Sequence, residues 1–526
     1  MSSTATLQLP LTIPVPAAIL ALVAVLITLL LRVGRRDPRL PPGPPTTPVL
    51  GNLTTIPPRY AHLYFLKLSK QYGDVISLKL FNSNMVVLNS AKAIFELLDK
   101  RSSSFNDRAP MYINDEVIAR GNHILIAPGK RNAVYRKAWN RILAPGVVGN
   151  HVPLQTAEGS AVLYNLLKGV NFYQEMRRYS CSLTLAIAFG KRAPTFNGVD
   201  SAGFSVKEFY RLEHAFNFFL EVGAAPPIDL LPVLKYLPGP LAPWKAKAQS
   251  LREEMRHYYH DILFGELKRR LKKGQCTDAW LAKLVKNNPD GLSDECLAWN
   301  GGVMLEGGSD TTSGALLTFI LAACCFPDKA AKAREEIDRV VGHDRSPVLE
   351  DITNLPYCDA LVKEMMRWRP VAPAGVPHLS TKDEVYRDML IPAGTLVVGN
   401  TWAALHDPEL YDEPEEFRPE RFLANKYGLK EEMAGWRNTL PYGAGRRICL
   451  GTQVAENSLS INIPKLLWAF DFEPVGEMDV NKFEPGHLTA PVEFKCHFRP
   501  RNSHIEETII SEYEEARELL SQFEFD

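Results

Sequence analysis

Cys449 lies in the run Pro441 to Gly451, P-Y-G-A-G-R-R-I-C-L-G. A thiolate is a soft, electron-rich metal ligand, and nearby cations and backbone N–H groups lower a cysteine pKa from about 8.5. Arg446 and Arg447 put such cations just before it, and Gly443, Gly445 and Gly451 let the turn pass close to a flat ligand without Cβ clashes. A second reactive group is Gly307-Gly308-Ser309-Asp310-Thr311-Thr312, where a carboxylate stands beside a hydroxyl. A carboxylate and a hydroxyl are both proton-handling groups. A third is Glu364-Met365-Met366-Arg367, whose opposite charges at i and i+3 share one helix face.

These residues need long elements to place them. Ser293, followed by Asp294 and Glu295, reads as an N-cap and an acidic first turn, and Phe326-Pro327 stops the apolar run that follows. A helix of that length is a rod of about 45–50 Å, with Asp310 and Thr311 near its middle. Adjacent glycines inside it cost roughly 1 kcal/mol each, and close approach of a ligand is one compensation. The apolar stretch from Ser458 to Phe470 predicts a second core helix behind the cysteine. Val75 to Leu80 and Met85 to Leu88 read as a hairpin turning at Asn82-Ser83-Asn84, with helix before it and from Ala91 to Lys100. Lys130 to Leu143 reads as a basic helix, 154–190, 204–220 and 245–275 as mainly helical, and Leu390 to Asn400 as strand, Pro-Ala-Gly turn, strand.

The chain has 526 residues, with 60 basic and 60 acidic side chains, and this balance argues against a nucleic-acid binder. Its 8 cysteines are scattered without zinc-type spacing, which suits a reducing compartment. Ile13 to Leu31 carries no charge and is long enough, at about 28 Å of helix, for a membrane's hydrocarbon core. Arg32, Arg35, Arg36 and Arg39 follow it, so the positive-inside rule puts the rest of the chain in the cytosol. Pro41-Pro42-Gly43-Pro44-Pro45 reads as a semi-rigid extended spacer. The expected organisation is a short luminal segment (1–12), an anchor (13–31), a basic, proline-rich hinge (32–45), one catalytic domain (46–500) and an acidic tail (501–526). That tail has no assigned role and is expected to be a solvated helix.

The cysteine run resembles the haem-binding loop of the cytochrome P-450 family, F-x-x-G-x-R-x-C-x-G, through Tyr442, Gly445, Arg447, Cys449 and Gly451. The Gly308 to Thr312 stretch resembles that family's oxygen-side motif, and Glu364 to Arg367 its E-x-x-R. The segment Phe417 to Phe422 resembles P-E-R-F, whose arginine, here Arg421, joins that pair. The resemblance covers roughly Pro41 to Pro500. It implies a single large domain, mainly α with small β-sheets, and an N-terminal transmembrane helix.

The resemblance also implies heme b with Cys449 as its axial iron ligand. Thr311 and Asp310 would be the catalytic residues. Arg447 and His378 would hold the propionates, and Glu364, Arg367 and Arg421 would form a structural charge cluster. Members of the family usually carry W-x-x-x-R near residue 135. Here Tyr135 and Trp139 stand instead, leaving Arg136 as a substitute propionate contact. The irregular stretch Phe105 to Gly129 would cap the pocket, and Leu488 to Pro491 would touch the substrate. The aromatics from Phe204 to Phe219 would form a lid near the membrane. Glu306 is expected to pair elsewhere than in the pocket.

The implied activity is a monooxygenase of the endoplasmic reticulum membrane. It would insert one oxygen atom of O2 into a hydrophobic molecule, by hydroxylation or epoxidation, in specialised metabolism. Electrons would come from NADPH through a separate cytochrome P-450 reductase, with cytochrome b5 as an auxiliary donor. A haem-thiolate isomerase or dehydratase, or a non-catalytic haem-binding membrane protein, are the alternatives.

Overall fold

Periodic apolar residues build a helical body around two core helices. The computed structural model describes residues 15–221, 225–275, 277–430 and 439–524. The helices that matter here are α1 (Val15–Val33), α2 (Gly129–Leu143), α3 (Val152–Leu167), α4 (Phe172–Phe189) and α5 (Val206–Phe218). They are followed by α6 (Asp294–Cys325), α7 (Pro356–Trp368), α8 (Thr452–Ala469) and α9 (Ser503–Ser521). The strands are β1 (Val75–Leu80), β2 (Ser83–Leu88), β3 (His378–Leu379), β4 (Glu384–Tyr386), β5 (Met389–Ile391), β6 (Leu396–Gly399), β7 (Phe470–Val475) and β8 (Lys495–Pro500).

Helix α6 forms as its sequence predicts. The Ser293 hydroxyl accepts the Cys296 N–H at 3.2 Å, and Asp294 and Glu295 occupy the first turn. It packs along α4 and against α7 and α8. Trp299 and Trp468, on α6 and α8, are fully buried. Helix α8 starts directly after Gly451 and carries Pro464 inside it.

A four-stranded sheet, in order β1-β2-β6-β3, lies beside the helices. Leu80 pairs with Ser83, so the hairpin turns at Phe81-Asn82, one residue earlier and tighter than the expected Asn82 to Asn84. The strands around Pro392 to Gly394 do form, but they do not pair with each other. β5 joins β4 in a separate ribbon, while β6 runs parallel to β2 and antiparallel to β3.

Two terminal expectations need revision. The proline-rich hinge is docked on the sheet: the Ser77 N–H donates to Pro42 O at 2.8 Å, and Arg36 donates to Gly43 O at 2.7 Å. The acidic tail is a packed element too. Helix α9 lies on α3 and buries Ile505, Ile509 and Leu520, and Tyr513 stacks on Tyr164 at 4.0 Å. Its Glu512 sits 3.4 Å from the buried ammonium of Lys465. The amphipathic pattern that suggested a solvated helix thus has its apolar stripe covered. Ile509→Ala should cost about 2–4 kcal/mol in denaturant unfolding, as core truncations do. A change within about 0.5 kcal/mol, typical of surface sites, would mean that α9 is loosely held.

Among the described residues no single helix is long and apolar enough to cross a membrane, and 19–33 is a shorter apolar stretch. The expected luminal segment 1–12 and the first two residues of the expected anchor lie outside the described residues.

Candidate active site

The Cys449 loop is built by its glycines. Gly445 takes φ 62°, and a Cβ there would lie 2.0 Å from the Leu98 carbonyl oxygen, so this glycine is needed for contact with the protein itself. Gly443 takes φ 85° and faces open space. The Cys449 N–H donates to Tyr442 O at 2.9 Å, closing the turn. Cys449 lies deep in the protein, yet its side chain is exposed to solvent-sized space. Burial pushes its thiol up. The Gly451 N–H, the Thr452 hydroxyl and the Arg136 guanidinium pull the other way. Arg136 is therefore the cation at the sulfur; Arg446 is exposed, and Arg447 turns to the neighbouring loop.

Helix α6 is buried from Cys296 to Glu306 and again from Thr312 to Ala323. Between these runs Gly307 is exposed, and Gly308, Asp310 and Thr311 are partly so. A Cβ at Gly307 would meet nothing within 4 Å. Three other glycines of the helix serve packing: Cβ atoms would come within 2.5 Å of Phe189 at Gly301, 2.4 Å of the Tyr259 ring at Gly302 and 2.3 Å of Thr184 at Gly308. The ligand approach expected of this glycine pattern thus applies to Gly307 alone. Gly302→Ala should destabilise by about 1–3 kcal/mol through overpacking. Gly307→Ala should fold at least as well, gaining up to about 1 kcal/mol of helix propensity, while altering ligand spectra. Equal stability losses in the two variants would refute this division.

The Thr311 hydroxyl donates to Gly307 O at 2.7 Å. Asp310 faces α5, where His214 Nε2 is 3.9 Å away. Glu213, next to that histidine, is buried with one carboxyl oxygen lacking a hydrogen-bond partner. Burial, then the charges of Asp310 and Glu306, hold its carboxyl well above the usual range. Sequence reading missed Glu213 and His214 because a distant helix brings them in. Glu306, expected to pair elsewhere than in the pocket, has two partners. It accepts from Tyr259 OH at 2.6 Å and lies 2.8 Å from His123 Nε2. His123 Nδ1 accepts the Leu125 N–H at 3.3 Å, so Nε2 carries the proton and donates. This pairing fastens the 112–127 segment to α6.

Basic groups gather beside the cysteine loop. Arg447 donates to Asn106 O at 2.6 Å and to Ala127 O at 3.0 Å, Arg136 to Ile448 O at 2.9 Å, and Arg108 to Val376 O and Pro377 O at 2.9 and 2.8 Å. The nearest acid is Asp107, 3.8 Å from Arg447. Burial and repulsion from neighbouring arginines lower Arg108 to about 9 and Arg447 to about 10, and burial lowers Arg136. His378 Nδ1 donates to Phe105 O at 2.6 Å, and burial and the arginines depress its pKa to about 3, so the ring is neutral. Three guanidiniums against one carboxylate leave positive charge that a dianionic ligand would offset. Sequence reading missed Arg108, a lone arginine in an irregular stretch. Tyr135 and Trp139 point away from this cluster: Tyr135 OH donates to Gly121 O at 2.9 Å and Trp139 Nε1 to Asn300 Oδ1 at 3.0 Å.

Glu364, Arg367 and Arg421 meet in the core. Arg367 donates to Glu364 at 2.7 and 2.9 Å, and Arg421 Nε at 3.1 and 3.2 Å. The remaining guanidinium hydrogens go to backbone carbonyls of residues 405–416. The loop expected against the substrate returns to the same region: the Thr489 N–H donates to Val371 O at 2.8 Å, and Ala490 Cβ lies 3.5 Å from where a Cβ at Gly314 would be.

A thiol exposed in a deep recess, clearance above Gly307 and excess buried positive charge together fit an iron porphyrin, with its soft-ligand demand and two carboxylates. The site is that of a haem-thiolate oxidoreductase. The family model described as Cytochrome P-450 matches residues 41–498. The cytochrome P-450 monooxygenase patI of Penicillium expansum is 37% identical, over 95% of this chain and 96% of its own. The cytochrome P-450 monooxygenase acuD of Aspergillus aculeatus is also 37% identical, over 97% of each chain. An Armillaria gallica cytochrome P-450 monooxygenase is 36% identical, over 96% of this chain and 98% of its own. The chain belongs to the cytochrome P-450 family. It is a haem-dependent monooxygenase that takes electrons from a redox partner and acts on a small molecule.

Proposed function

We propose that the protein inserts one oxygen atom of O2 into a hydrophobic organic substrate, by hydroxylation or epoxidation, in specialised metabolism. The observation that carries this is the Asp310-Thr311 pair at the one break in α6 burial, with the Cys449 loop leading into a helix packed on α6. The named functions of the fungal relatives support the same class. Electrons come from NADPH through a separate reductase, with cytochrome b5 as an auxiliary donor. The catalytic unit is 46–500, extended by the packed hinge and tail.

Heme b, held by Cys449 and by Arg108, Arg136 and Arg447 at its carboxylates, would supply the dioxygen chemistry. His378 would join them where a nearby carboxylate offsets the arginines and stabilises an imidazolium protonated from solvent. The chain's own residues manage protons. Asp310 is partly exposed beside His214, and the buried carboxyl of Glu213, held well above its usual range, lies next to that histidine. Thr311 can exchange its bond to the Gly307 carbonyl for one toward the ligand. The segments 112–127 and 488–491 would cover the site, since His123 and Ala490 lie against α6. The apolar residues at 19–33, the arginines after them, and the exposed Val233, Tyr236 and Leu241 support anchorage in the endoplasmic reticulum membrane with the body in the cytosol.

Thr311→Ala should keep substrate binding and NADPH consumption while product per NADPH falls by about tenfold or more and peroxide rises, the scale of a lost proton donor. Unchanged coupling would remove Thr311 from the mechanism. Turnover independent of NADPH and O2 would favour the isomerase or dehydratase reading instead.

A further inference from the structure

Cys324 is the penultimate residue of α6, and Cys496 is the second residue of β8. Their sulfurs are 3.5 Å apart and both side chains are partly exposed. By contrast Cys181, Cys296 and Cys358 are buried. Among the described residues no group of three or more metal-binding side chains surrounds any cysteine, so nothing marks this pair as a metal site. A disulfide needs about 2.05 Å between sulfurs, and side-chain rotation at a helix end and a strand can close the remaining distance. The Cys324 thiol donates toward the Cys496 sulfur, and the Cys496 thiol lies 3.5 Å from the His497 carbonyl oxygen. Two partly exposed thiols in contact can serve as an attacking and a resolving cysteine, the arrangement of oxidant-sensitive pairs.

The location gives the bond a consequence. β8 is reached from β7 through the segment 476–494, whose Thr489 and Ala490 contact Val371 and Gly314 of α6. Phe319 of α6 and Phe472 of β7 meet edge to face at 6.0 Å between centroids. A bond between Cys324 and Cys496 therefore ties the end of α6 to the strand that carries the segment reaching back to the middle of the same helix.

We propose that Cys324 and Cys496 are a modification site, a dithiol that hydrogen peroxide oxidises to a reversible disulfide. The Cys496 thiolate attacks one peroxide oxygen, the O–O bond breaks, and the departing hydroxide takes a proton to leave as water. The resulting sulfenic acid is attacked by the Cys324 sulfur, forming S–S and releasing a second water. Two thiols and one peroxide give one disulfide and two waters. In a reducing compartment such bonds are transient and sensory, not structural.

The test uses the haem-loaded full chain, treated with stoichiometric peroxide or with diamide as an oxidant that spares haem, then alkylated and digested. A Cys324–Cys496 peptide pair, reversed by dithiothreitol, is expected. The two thiols should disappear at least about tenfold faster than the buried Cys181 and Cys358. C324S and C496S should each abolish the linked peptide, while C325S keeps it. The reduced-CO spectrum certifies that each variant is folded. A linked peptide containing Cys325 in place of Cys324, only intermolecular links, or only sulfinic acid at Cys496 would overturn the proposal.

Discussion

Replacing Cys449 with serine should abolish the strongly red-shifted absorption band of the reduced CO complex and lower monooxygenation at least about 1,000-fold, roughly 4 kcal/mol at 1.36 kcal/mol per tenfold. A serine fits the space, and the turn keeps its Cys449 N–H to Tyr442 O bond, which uses only backbone atoms. What is lost is the anionic sulfur, whose electron donation favours O–O cleavage. The arginine cluster is untouched by the change, so the variant should still take up haem. Persistence of the band would show that another group holds the iron.

Glu364→Ala should be the most destabilising single change at the charge triad, by about 3–5 kcal/mol. Arg367 and Arg421 are only 1% and 6% exposed, and among the described residues Glu364 is the side-chain anion that both contact. Its carboxylate also accepts the Arg418 N–H at 2.7 Å, so removal strands a backbone donor as well. The exposed pair Arg211–Glu208 provides the contrast, since breaking it should cost under about 1 kcal/mol. Urea unfolding of both variants checks the pair of expectations. Similar small costs would mean that the buried triad relaxes into water.

What the sequence disclosed was local. Cys449 stands in a loop whose glycines and arginines lie within a few residues, and Asp310-Thr311 and Glu364-Arg367 are contiguous on their helices. Helix α6 was legible through its cap, its acidic first turn and its terminal proline. Groups assembled across the chain were hidden. Arg108, Glu213 and His214 become part of the site only when distant segments fold together, and spacing carries no trace of that. Of the adjacent pair Gly307-Gly308, ligand approach was expected of both, but Gly308 answers to Thr184 and only Gly307 faces open space. The tail misled because an amphipathic stripe does not say whether a partner covers it. The hinge misled because prolines describe a backbone preference and not where its carbonyls find donors.

The clasp of aromatic and threonine side chains on Gly301, Gly302 and Gly308 bears on how this enzyme could evolve. A wall held at three points cannot be re-tilted to admit a new molecule without rebuilding its neighbours. Diversification of the pocket must then fall to the opposing surfaces, the coils around 105–129, 371–377 and 488–491. Mutagenesis libraries confined to those coils should retain more folded clones, and shift selectivity more often, than libraries of equal size directed at the glycine-bearing helix.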